Sequence, residues 1–353
     1  MRAEQQMPPP AAKAGAPDAT ERGVQNIADF LVVQAQRLGA KPAATSKRGG
    51  RWESVSWTWI LEEVKKLSAG LVALGVKPGD RVSIFAATSL QWLLADLAVT
   101  CAQAVSVPIY ASNTPDECRY ILNHSEASFL FVDHDVAEGK QAGRLSRIRQ
   151  RLGDCPLVKK VILFEGEPQG DRELSLSALV EQGQAAHQAS PGAFDTRLAG
   201  IGRNDLQCLI YTSGTTGDPK GVMIRHGSWI FEGEALSQLR ILLPSDVVML
   251  FLPLAHSFAQ VTKAAWLSQG FRMVFAESTD KLVANLAETS PTLLPSVPRV
   301  FEKVFANVVS NGMGAPGVKG KLFRWAFRLF DEYVEARTQG KEYASLSFAL
   351  ARR

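Results

Sequence analysis

Leu206-Gln-Cys-Leu-Ile-Tyr-Thr-Ser-Gly-Thr-Thr-Gly-Asp-Pro-Lys-Gly221 runs from an apolar stretch into a loop of hydroxyls and glycines and ends on a Lys-Gly pair. The stretch 206–211 reads as a buried strand. Thr212, Ser213, Thr215 and Thr216 place four hydroxyls within five residues. Gly214, Gly217 and Gly221 allow left-handed backbone angles and the close approach of a ligand. Successive backbone N–H groups in such a loop make an anion-binding nest, and Lys220 adds a compact, rotatable positive charge suited to phosphate. A helix expected over 227–240 places the loop between a strand and a helix, where open parallel sheets bind ligands. The pattern is not the Gly-Lys-Ser/Thr loop of kinases and GTPases: the Gly-Lys pairs beginning at Gly139, Gly320 and Gly340 are followed by Gln, Leu and Glu.

Outward from this loop, strands and helices alternate. Before it, helical periodicity over 60–74 ends at Gly75, and 81–86, 104–110, 128–132 and 158–164 read as strands. Helices are expected between them at 90–101, 115–124 and 139–151. After the loop, strands are expected at 247–254, 272–275 and 292–296. Helices are expected at 258–269, 279–289 and 298–310, then a glycine-rich break at 311–317 and a helix over 319–337. Near-continuous apolar strands separated by helices predict an α/β fold with two mostly parallel sheets flanked by helices. The second sheet is expected from the strands that follow the loop.

Composition narrows the function. With 353 residues, 46% apolar and 21% charged, the chain suits a large globular core. A formal charge of +4 gives no concentrated basic face, so nucleic acid is not an expected partner. Cys101, Cys118, Cys155 and Cys208 are far apart, without a CxxC pair, and are expected to be reduced and mostly buried. Residues 1–20 are rich in Pro, Ala and Gln, lack a signal-peptide core and are expected to form a disordered tail. No uncharged apolar run is long enough to span a membrane, so a cytoplasmic location is expected, with the basic-aromatic stretch 319–337 as a face for peripheral membrane contact. Packing of its aromatic residues on the core is the favoured reading. Gly312-Met-Gly-Ala-Pro-Gly317 matches a dinucleotide fingerprint, but it follows a helix and contains Pro316, which argues against a nicotinamide or flavin site.

The segment Tyr211–Gly221 resembles the signature of the AMP-binding superfamily of acyl-adenylate-forming enzymes. Leu252-Pro-Leu-Ala-His-Ser257 is similar to the family motif whose histidine or aromatic residue borders the acyl pocket, which makes His256 the expected substrate-binding residue. Pro291–Val304 and Asn113–Asn123 resemble the long-chain fatty acyl-CoA synthetase branch. The resemblance covers about residues 24–350. It implies a ligase that joins a fatty acid to AMP from ATP and then to CoA, with Mg²⁺ assisting. It assigns Thr212, Ser213, Gly214, Thr215, Thr216, Gly217 and Lys220 to nucleotide binding, with Lys220 and Thr216 also catalytic. A medium-chain or aryl acid is the alternative substrate.

The sequence also departs from the family. It has no aromatic-Gly-x-Thr-Glu segment, and its one Thr-Gly-Asp, 216–218, lies inside the phosphate loop. Residues 21–353 are therefore expected to be part of the large N-terminal domain, with the remainder and the C-terminal domain missing. Thioester formation is expected of the full-length enzyme, and the fragment alone is expected to be inactive. The competing expectation is an inactive phosphate- or acyl-binding protein.

Overall fold

A computed structural model describes residues 23–134, 142–212, 217–343 and 345–351. The expected tail at 1–20 lies outside them. The chain divides into two compact units, Met1–Pro295 and Ser296–Arg353.

The first unit holds two mostly parallel sheets, as expected. Seven strands lie in the order β7-β6-β5-β3-β4-β8-β9. They are β3 (Arg81–Phe85), β4 (Val105–Ile109), β5 (Ala127–Val132), β6 (Lys160–Leu163), β7 (Glu173–Ser175), β8 (Leu206–Thr212) and β9 (Lys220–Arg225). Every neighbouring pair is parallel except β8 with β9. All residues of β4 and β5 are buried, the condition of strands covered on both faces.

The second sheet has the order β10-β11-β1-β2. Its strands are β1 (Pro42–Arg48), β2 (Arg51–Ser56), β10 (Val247–Leu250) and β11 (Arg272–Phe275). It is therefore not built only from strands after the loop. β1 pairs in parallel with β11, Ala44 opposite Met273, and in antiparallel fashion with β2. Gly49 and Gly50, at φ 53° and 79°, make the tight turn between β1 and β2; a two-residue turn with both φ positive matches the twist of a hairpin. The strand expected at 292–296 reduces to a single bridge, Leu293 to Val248.

Helices fill the space around the sheets. α1 (Asp29–Leu38) and α2 (Trp57–Ala73) precede α3 (Leu90–Cys101). Ser89 caps α3 by accepting the Trp92 N–H at 3.2 Å, which satisfies one orphan donor of its first turn. α3 touches β3 and β4 of the larger sheet and β1 of the smaller, and all but one of its residues are buried. The helix α4 (Pro115–His124) starts with a capping box, Thr114 and Glu117 bonding reciprocally, and with Pro115 in its first turn. α5 (Arg144–Arg151), α6 (Leu176–Ala189) and α7 (Ala193–Ala199) follow, then α8 (His226–Leu239), α9 (Ser257–Gln269) and α10 (Leu282–Thr289). Residues 139–141 of the helix expected at 139–151 lie outside the described residues.

A chain of buried polar groups crosses this core. Lys263 of α9 pairs with Asp96 of α3, both side chains 1% exposed. Thr100 donates to the Asp96 carbonyl at 2.8 Å, Gln207 donates to Thr100 at 3.1 Å, and the Trp229 indole donates to Gln207 at 2.8 Å. Buried His226 accepts the Ile27 N–H at 3.3 Å. Burial pushes its imidazole down to about 4. All four cysteines are free and buried.

The second unit is helical: α11 (Pro298–Gly314), α12 (Gly317–Thr338) and α13 (Leu346–Ala351). α11 continues four residues beyond the expected 310, through most of the glycine-rich stretch. Phe327 of α12 lies 6.2 Å from Phe305 of α11, and Tyr333 stacks at 4.6 Å on Phe348 of α13. These rings of the basic-aromatic helix are engaged with neighbouring helices. No helix among the described residues is long and apolar enough to cross a membrane.

Candidate phosphate hairpin and neighbouring clefts

Lys220 does not stand between a strand and a helix. It begins β9, which returns antiparallel to β8, so the two strands make a hairpin. The helix expected from 227 begins at His226, directly after this extra strand. In the ladder, Thr212 pairs with Lys220 and Tyr211 with Gly221. Both Thr212 and Lys220 are exposed, and Lys220 has no ion-pair partner among the described residues. Gly217 has φ 99°, the left-handed angle that turns the chain back. Ser213, Gly214, Thr215 and Thr216 lie outside the described residues.

Gly221 sits close to its partner across the ladder. A Cβ there would lie 3.1 Å from Cζ of Tyr211. The Tyr211 side chain lies under the base of the hairpin, 4% exposed. Burial first, and the neighbouring Tyr120 second, push its phenol up to about 12. It is a neutral hydroxyl at physiological pH.

His256 reaches the same edge of the larger sheet by another route. β4 and β8 are adjacent and parallel, with Ser106 opposite Cys208. Four residues further along each strand come Tyr110 and Thr212, so both leave at the carboxyl edge. The His256 ring lies edge-on to Tyr110, centroids 6.3 Å apart. His256 also caps α9: its Nδ1 accepts the Phe258 N–H at 3.2 Å. The preceding loop is stapled to the N-terminus of α3 by Thr88. Its hydroxyl donates to the Leu252 carbonyl and accepts the Leu254 N–H, both at 2.9 Å.

Two clefts open along this edge. One, of about 560 Å³, is lined by Ala111, Arg144, Phe251, Pro253, Leu254 and Ala255 among others. Its lining includes the three residues preceding His256, but not His256 itself. The other, of about 590 Å³, includes Lys47, Thr88, Asp133, His134 and Glu277 in its lining. Hydrogen bonds from Lys281, then Asn285 and Lys47, hold the Glu277 carboxyl down at about 2. Among the described residues, no group of three or more His, Cys, Asp or Glu is placed to hold a metal ion.

Reading by spacing missed Tyr120 and His124, two side chains of α4 that touch the hairpin. Both sit in or beside the stretch 113–123, but nothing in periodicity ties that stretch to residues 211 and 219.

The chain resembles known proteins in sequence and fold. The family described as AMP-binding enzyme matches residues 31–324. Long-chain-fatty-acid–CoA ligase FadD15 of Mycobacterium bovis is 32% identical, over 82% of this chain and 46% of that protein. Long-chain-fatty-acid–CoA ligase ACSBG2 of Homo sapiens is 28% identical, over 92% of this chain and 48% of that protein. The chain thus spans about half the length of the curated relatives it matches. Among solved structures, a long-chain-fatty-acid-CoA ligase (FadD1) from Archaeoglobus fulgidus matches with TM-score 0.68 and 24% identity, over 81% of this chain and 54% of that one. The N-terminal domain of FACL13 from Mycobacterium tuberculosis matches with TM-score 0.66 and 20% identity, over 83% of this chain and 66% of that one. These two likenesses speak for the fold. From the family match and the FadD15 relationship together, the chain belongs to the AMP-binding enzyme family.

Proposed function

We propose that this chain supplies the triphosphate- and acyl-binding part of a long-chain fatty acid–CoA ligase. The observation that carries the reading is the hairpin. Lys220, without an ion-pair partner among the described residues, faces Thr212 across the ladder, at the same sheet edge as Tyr110, His256 and an open cleft. The names of the FadD15 and ACSBG2 relatives supply the fatty acid and CoA.

In the first step a fatty carboxylate oxygen attacks the α-phosphorus of ATP. A carbon–oxygen–phosphorus bridge forms, and the bond to pyrophosphate breaks. In the second step the CoA thiol loses its proton and its sulfur attacks the acyl carbonyl, releasing AMP. The first step brings an anion toward a polyanion, so the site must offset charge and hold the leaving group in line. Lys220 does the first as a point charge on the phosphates. The Thr212 hydroxyl and the hairpin N–H groups do the second. Ser213, Gly214, Thr215 and Thr216 belong to the same proposal, with Thr216 beside Lys220 in the catalytic role. His256, turned toward Tyr110, borders the acyl end. Mg²⁺ enters with the nucleotide as its complex, and no step is assigned to a protein-held metal.

Calorimetric titration of the chain with MgATP tests the phosphate assignment. Lys220→Ala is expected to weaken binding on the order of tenfold to hundredfold, the weight of a charged hydrogen bond. Equal affinity of variant and parent would remove Lys220 from the site. For substrate class, pyrophosphate release is measured across acids of increasing length, using protein of the relatives' full length. A long-chain optimum is expected, and a preference for medium-chain or aryl acids would replace that part of the reading.

A further inference from the structure

One helix grips both sides of the phosphate hairpin. The Tyr120 hydroxyl donates to the Pro219 carbonyl at 3.1 Å, on the returning side of the turn. His124 Nδ1 and the Tyr211 hydroxyl share a hydrogen bond at 2.8 Å, on the outgoing side. The two α4 side chains are one turn apart and stack on each other, centroids 5.2 Å apart. The His124 ring meets Tyr211 edge-on at 5.7 Å. Between these two anchors lies the Thr212–Lys220 pair. α4 is itself fixed, by its capping box and by buried Cys118, Ile121 and Leu122.

We infer that Tyr120 and His124 are positioning residues for Lys220 and Thr212. They do not touch phosphate. They set the spacing and direction of the hairpin sides from which Lys220 and Thr212 project. Two long side chains on a rigid helix make this possible: each bond fixes one side, and stacking fixes the bonds relative to each other. Tyr211, neutral and buried, transmits the His124 contact to Gly221 across the ladder. This inference rests on the reading of the hairpin as the phosphate site.

The test uses the whole chain with Tyr120→Phe, His124→Phe and His124→Asn. The phenylalanines keep the ring packing and delete one polar contact each. The asparagine restores a polar atom near the Nδ1 position. Amide hydrogen exchange over 211–221 and MgATP affinity are measured beside the thermal midpoint. Each phenylalanine variant is expected to speed exchange and weaken MgATP roughly three- to tenfold, the weight of one net hydrogen bond. His124→Asn is expected to return both to within about twofold, since a short polar side chain replaces the lost partner. Unchanged exchange in both phenylalanine variants overturns the inference, as does an asparagine variant no better than phenylalanine. Exchange is read without nucleotide, so it judges the positioning even if Lys220→Ala shows that the hairpin does not bind phosphate.

Discussion

Asp96 and Lys263 lie sealed between α3 and α9, linked through Thr100, Gln207 and Trp229 to two other elements, β8 and α8. Thr212 and Lys220 stand exposed on a two-strand turn, steadied from one side by Tyr120 and His124. Both regions are polar, yet the physics differs. A buried charge is costly unless paired, so the core pair holds its partners in place through the penalty for losing one of them. An exposed lysine costs the fold almost nothing and stays available to an anionic ligand. On the proposed function, stability and binding fall on different polar groups, and substitutions should separate them.

The largest effect should come from splitting the core pair. Asp96→Ala leaves the Lys263 ammonium buried and alone, and should cost about 3–5 kcal/mol in urea denaturation. Replacing both, Asp96→Leu with Lys263→Met, should recover most of that loss; failure to recover would mean that the pair carries more than its own charge balance. Next comes pH. The His226 imidazole is lowered by burial from 6.5 to about 4. The unfolded chain therefore binds the proton more readily between these values. The resulting stability is complete above about 6.5 and is lost as pH falls toward 4, by up to ~3 kcal/mol. His226→Asn keeps an acceptor for Ile27 without titrating, so its denaturation midpoint should fall less between pH 7 and 5 than that of the parent chain.

Smaller effects on stability are expected at the hairpin. Gly221→Ala crowds Tyr211 and should cost about 1 kcal/mol, while MgATP affinity falls further than that loss implies. Lys220→Ala should leave the denaturation midpoint within about 0.5 kcal/mol despite its effect on binding. A hairpin variant that unfolds the chain, or a core variant that lowers affinity at unchanged stability, would break the division.

How legible the two regions were also differs. The alternation of 81–163 could be read because β3, β4, β5 and β6 are apolar on both faces. The proposed loop chemistry rests on residue types, hydroxyls, glycines and a lysine, that are suited to phosphate by themselves. β9 was missed because Gly-Val-Met-Ile is short and sits at a sheet edge. Its burial does not alternate, and its pairing with β8 is a backbone matter. β1 and β2 were missed because Pro42–Arg48 and Arg51–Ser56 are polar for strands. Their Gly49-Gly50 turn was the available signal. Tyr120 and His124 illustrate a harder limit: a side chain 99 residues from its hydrogen-bond acceptor leaves no trace in local pattern.

The smaller sheet carries a consequence for synthesis. Ala44 of β1 pairs with Met273 of β11, so the first strand emerges from the ribosome long before its parallel neighbour exists. At bacterial or eukaryotic translation speeds that wait is roughly 10–50 s. During it, β1 and β2 lack their β11 neighbour, and a two-strand hairpin is marginal alone in water; packing on α2 and α3 supports it. The larger sheet can assemble its β3, β4, β5 and β6 core in the meantime. This early hairpin is thus among the last parts of its sheet to be completed, and a slow codon run before residue 272 would lengthen its exposure.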